Sequence, residues 1–166
     1  MNAIEYKQVF LEEVKSNGQI SGDGSCAAFV EKMANHLEET QNLPGFNAAY
    51  HSGTRSKKTR RIDGYFYDEY DNAMLLFIAD YQGDDFNRAI TTLNAKKIFS
   101  HLQNFVCDVF ENNLQQEIEE STPCADLIEE LLNKRPEIRK YRFLLFTDAD
   151  SSKAKIPQTD TCCDIP

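Results

Sequence analysis

The chain has 166 residues, the length of one domain, and enough to bury roughly two thirds of its unfolded surface without staples. Its 41% hydrophobic and 27% charged residues are globular composition, and 18 basic against 27 acidic side chains leave a net charge of −9. That balance argues against a surface built to coat nucleic acid or anionic membrane, because phosphate neutralisation needs surplus Lys and Arg. A local basic strip or a metal-bridged contact stays open. No apolar run is long enough to span a bilayer, so no membrane partner is expected. The first residues carry an early acid and no apolar stretch, unlike a signal peptide. The five cysteines form no CxxC or Cys/His ligand spacing. Cys26, Cys107 and Cys124 sit in helical patterns and read as buried free thiols, Cys162 and Cys163 as exposed in a polar tail. A cytoplasmic location is the expectation.

In chain order, Ile4, Val9, Phe10, Leu11 and Val14 predict a helix over residues 2–16, stopped by Asn17-Gly18. A loop through Gly22-Asp23-Gly24 leads to a second helix, capped by Ser25 or Asp23. Its stripe is Cys26, Phe29, Val30, Met33 and Leu37, and it runs to about residue 40. Residues 46–52 are β-compatible. The basic stretch 53–61, with Arg55, Lys57, Lys58, Arg60 and Arg61, begins as a flexible loop. Residues 61–68 and 73–82 then form a β-hairpin around a turn at 69–72. The unbroken apolar run 74–79 marks the second strand as central, covered on both faces. Gly83-Asp84-Asp85 breaks it, and a long helix reaches about residue 114. Thr122-Pro123 starts another helix, which ends before Pro136. Residues 141–147 form a last, buried strand. Residues 1–150 therefore make a single domain and 151–166 a polar tail or linker. The fold class is α/β (α+β): a mixed sheet of about four strands flanked by helices, in the order α-α-β-β-β-α-α-β.

The hairpin puts one aspartate on each strand. A turn centred near residue 71 allows three registers; two cluster Asp63 and Asp80 on one face and the third separates them. Gln82 shares the face of Asp80 in every register, since i and i+2 point the same way, and Gly64 marks a bulge or a close backbone approach. Clustered carboxylates with an amide oxygen suit Mg²⁺ or Mn²⁺. An ion there could activate water and polarise a phosphodiester. Relieving such a cluster by Asp→Asn should leave stability unchanged or raise it. Glu31, beside the stripe of the second helix, could join as an outer ligand, and Lys58 or Arg60 could hold a phosphate. Plain readings stand beside these. Asp63-Gly64 can end a loop, Asp80 and Gln82 can be solvated strand ends, Glu31 a surface acid, and the basic run a solvated loop. Asp148 and Asp150 read as turn residues, and His36, His51 and His101 show no mutual spacing.

Arg61-Ile62-Asp63-Gly64-Tyr65-Phe66-Tyr67-Asp68-Glu69, followed by Leu75-Leu76-Phe77-Ile78-Ala79-Asp80-Tyr81, resembles the N-terminal domain of bacterial abortive infection phage resistance (AIPR) proteins. Ala28-Phe29-Val30-Glu31, Glu120-Ser121-Thr122-Pro123 and Arg142-Phe143-Leu144-Leu145-Phe146-Thr147-Asp148 extend the likeness to residues 1 to about 150. Members of that family are longer than this chain. The pattern is also similar to the restriction-endonuclease-like PD-(D/E)XK core. That resemblance implies Asp63 and Asp80 as metal-binding acids, Glu31 as the helix acid of some branches, and Gln82 where a water-orienting Lys is expected. Two functions follow as expectations. One is a divergent Mg²⁺-dependent nuclease domain of a phage-defence protein, acting on DNA or RNA. The other is a non-catalytic module of the same fold, engaging a phage component or the C-terminal region of a longer protein.

Overall fold

The computed structural model describes residues 2–21, 24–40, 42–83, 88–151 and 154. The chain runs α1 (Ala3–Ser21), α2 (Ser25–Glu39), β1 (Asn47–Arg55), β2 (Lys58–Asp68), β3 (Ala73–Asp80), α3 (Thr92–Glu111), a short 3-10 turn (Leu114–Gln116), α4 (Pro123–Lys134) and β4 (Lys140–Thr147). The sheet order is β1-β2-β3-β4, with β1/β2 and β2/β3 antiparallel and β3/β4 parallel. This is the mixed four-stranded sheet with flanking helices that the sequence order predicts. The tail 151–166, apart from Ser151 and Ala154, lies outside the described residues, as do Asp23 as a helix cap and the break at Asp84-Asp85.

Alternation along β3 explains why its apolar run is continuous. Met74, Leu76 and Ile78 enter a core with Leu102, Phe105 and Val106 of α3 and Leu127, Ile128 and Leu131 of α4. Ala73, Leu75, Phe77 and Ala79 enter a second core with Leu11 and Val14 of α1 and Phe29 and Val30 of α2. Every residue of β3 except Asp80 is buried, as a strand covered on both faces requires.

Five local expectations change. α1 runs through Gly18 to Ser21. A Cβ on Gly18 would meet Gly24 and Ser25 backbone at 2.8 Å, so the glycine permits close helix approach and is not a C-cap. α2 begins after Gly24, which caps without a side chain. The basic stretch is not a loop: β1 and β2 run into a two-residue turn, Ser56-Lys57, with φ of 50° and 66°. Those are the signs a type I′ hairpin turn demands. β4 is an edge strand with alternating exposure, and Lys140 and Arg142 pair with Asp71. Charge on an edge discourages strand addition. Cys26 and Cys124 are free thiols, but Cys107 is disulfide-bonded, which corrects its reading as a free thiol.

Candidate functional site

Asp63 lies at an irregularity in β2. Ile62 and Tyr65, three residues apart, both face the α3/α4 core, so strict alternation fails between them. On β1, register is lost between Ala48 and His51, opposite the same point. Gly64 lies at this point, and a Cβ there would stand 2.2 Å from the Phe46 ring, so only glycine leaves room for it. The irregularity turns Asp63 toward the α2 face, beside Arg61. Arg61 donates twice to its carboxylate, at 2.9 and 3.1 Å, and reaches Cys26 Sγ at 3.5 Å. Asp63 Oδ2 also accepts the Ala79 backbone N–H at 2.9 Å. Burial pulls the Arg61 guanidinium pKa down, but the hydrogen bonds and charge of Asp63 more than reverse this and raise it. The Cys26 thiol is raised by burial and then by Asp63, so it stays protonated near neutrality.

Asp80 occupies the opposite face, in phase with Met74, Leu76 and Ile78. Its Oδ2 accepts from Thr147 Oγ1 and from Arg88 Nη1, both at 2.8 Å. Arg88 also pairs with Asp148, whose carboxylate accepts the backbone N–H of Gly83 at 2.8 Å and of Gln82 at 3.2 Å. Burial opposes the Arg88 charge, and the hydrogen bonds to Asp80 and Asp148 raise its pKa. Asp148, read from sequence as a turn residue, is the buried post of this corner. Its only sequence signal is an aspartate just past a strand end.

The structure therefore does not bring Asp63 and Asp80 onto one face. Gln82 shares no face with Asp80 either: β3 ends at Asp80, and an exposed Gln82 precedes Gly83 at φ 81°. Glu31 is exposed and lines a groove between α1 and α2. Arg60 is buried, donating to Asp108 at 3.2 Å and to His51 Nε2 at 3.0 Å, so it is not presented to a phosphate. Arg55 pairs with Asp108 and Glu117. Lys58 is exposed at the tip of the β1–β2 hairpin. Of the basic strip, Arg55 and Arg60 are thus spent on Asp108 and Glu117 and Arg61 on Asp63, while Lys57 and Lys58 are exposed. Among the described residues no three His, Cys, Asp or Glu side chains converge to hold a metal. Asp63 and Asp80 do not fit a shared ion, because each faces its own arginine on its own side of the sheet.

The model of the abortive infection phage resistance protein N-terminal domain family matches residues 29–166. The chain belongs to this family. Membership gives it a role in phage defence, and the matched span takes in all four strands, α3, α4 and most of α2. No curated protein and no solved structure matches the chain. Among the described residues of this AIPR domain, no helix is long and apolar enough to cross a membrane.

Proposed function

We propose that this AIPR domain is a non-catalytic interaction module in phage defence. One observation carries the reading: the two acids suited to a nuclease metal, Asp63 on β2 and Asp80 on β3, stand on opposite faces of the sheet, each engaged by its own arginine. Metal-assisted phosphodiester cleavage needs charges that converge on one ion and one water. Here the carboxylates do structural work. Asp63 receives a backbone N–H at the β2 irregularity, and Asp80 and Asp148 fasten the segment carrying Arg88 to the ends of β3 and β4. The partner would be a phage component or the C-terminal region of a longer chain, neither of which requires a reaction.

Thermal melts over a wide Mg²⁺ and Mn²⁺ range, run beside cleavage assays on single- and double-stranded DNA and RNA, test the reading. A bound ion stabilises the fold by mass action, by about 2.7 kcal/mol at 100 times its Kd. The module reading expects no saturable rise in Tm and no cleavage in wild type, Asp63→Asn, Asp80→Asn or Gln82→Lys. Metal-dependent cleavage that disappears in Asp80→Asn would reverse it in favour of the nuclease.

A further inference from the structure

α1 has two apolar faces, and the core uses one of them. Leu11 and Val14 are buried against the sheet. Ile4, Tyr6 and Val9 are 53%, 55% and 45% exposed. Tyr6, Val9 and Phe10 follow i, i+3, i+4 spacing and form one wall of a groove of about 590 Å³ whose other wall is α2. Phe10 is held there by Phe29, edge-on at 6.2 Å, and by Tyr6 at 6.3 Å. Lys32 covers the Phe10 ring at 4.7 Å and its charge is taken up by Glu13. Glu31 and Glu39 stand on the α2 wall without an ion pair among the described residues. The groove thus has Tyr6, Val9 and Phe10 as its apolar lining and a formal charge of −2 in all, from Glu13, Glu31 and Glu39 against Lys32.

Charge selects the occupant. Phosphate-bearing partners and anionic membrane are repelled by Glu31, Glu39 and a net charge of −9. A second copy docking through the same groove would bring identical acidic walls together, because a two-fold interface is self-facing. An amphipathic helix with an apolar stripe and flanking Lys or Arg answers both walls. We propose that the α1–α2 groove is a docking site for a basic amphipathic helix of a protein partner. This rests on the module reading and names its recognition surface.

The probe is a labelled synthetic peptide of about 18 residues, Leu at i, i+3, i+4 and i+7 and Lys or Arg on the flanks, titrated with the full chain at about 0.15 M salt. A second peptide carries Glu in place of every basic residue. The wild type should bind the basic peptide at least about tenfold more tightly than the acidic one. Tyr6→Ser/Val9→Ser and, separately, Glu31→Lys/Glu39→Lys should each weaken the basic peptide by about tenfold or more. Both pairs are surface changes, and unchanged circular dichroism verifies the fold. No binding of the basic peptide, equal binding of both peptides, or binding indifferent to both variants would overturn the docking site. So would self-association of wild type in light scattering that Tyr6→Ser/Val9→Ser abolishes, since the occupant would then be a second copy. None of these outcomes touches the module reading, which falls only on metal-dependent cleavage lost in Asp80→Asn.

Discussion

Asp63 is where sequence and structure pull hardest in different directions. A carboxylate facing another carboxylate is a burden whose removal stabilises; one held by a guanidinium and a backbone N–H is the reverse. With its side chain 5% exposed, Asp63 belongs to the second kind. Asp63→Ala should therefore cost about 2–3 kcal/mol in urea unfolding. Asp63→Asn should cost less, since its amide oxygen can still accept from Ala79. A gain in stability on either change would restore the carboxylate-cluster picture. The neighbouring network makes a pH prediction. His51 has a lowered pKa because it is half-buried and then because of the positive charge of Arg60 beside it. A base with a depressed folded pKa favours its neutral form, so its contribution is full above the ordinary value of 6.5 and is lost as pH falls through the folded value. His101 is lowered in the same direction, by burial and then by Lys97. Stability should fall from pH 7 toward pH 5, and His51→Gln should flatten that slope in melts across the range. A slope identical in the variant would remove His51 from the account. Asp63 and Asp80 are visible from sequence as strand acids, and Arg61 shares the face of Asp63 two residues on, whereas Arg88 and Asp148 join Asp80 through contacts between distant parts of the chain that no local pattern encodes.

At the scale of elements, most of the fold was legible because burial imposes a period. The run 74–79 could only be a strand covered twice, and Thr122-Pro123 is a cap whose Oγ1 accepts the Ala125 N–H at 3.3 Å. What escaped was set by close approach. Gly18 resembled a helix stop, yet it lies inside α1 against the first residues of α2. Ser56-Lys57 forms a hairpin turn without the Asn-Gly that usually announces one. The start of the basic stretch therefore reads as a loop from sequence alone. Gly64 holds the β2 irregularity open for Phe46. Alanine at either glycine should destabilise by about 1–3 kcal/mol, because the added methyl meets backbone at Gly18 and a packed ring at Gly64. Gly24 gives the contrast: its missing Cβ has open space around it, but φ 86° and ψ 163° lie in a region essentially reserved for glycine, so Gly24→Ala should cost about 1–3 kcal/mol through backbone strain alone. Equal denaturation midpoints for Gly18→Ala, Gly64→Ala and wild type would show that the crowding is absorbed.

At the scale of the whole molecule, one sheet serves two cores. The helical hairpin α1–α2 covers one face and α3 with α4 the other, and β3 contributes alternate residues to both. A strand shared in this way ties the layers into one cooperative unit, because neither core can open without exposing β3. Leu11 and Leu127 are fully buried on opposite faces. Each change to Ala should cost about 2–5 kcal/mol through lost burial and the cavity left behind. They lie in different cores, so the double variant should equal the sum of the singles within about 0.5 kcal/mol. Both should lower the midpoint of a single transition in which far-ultraviolet dichroism and tyrosine fluorescence coincide. If Leu11→Ala instead splits the melt, with the tyrosines around α1 reporting first, the α1–α2 layer unfolds on its own. The groove would then sit on a separable hairpin, and helix docking there would have to order that hairpin as well as bind it.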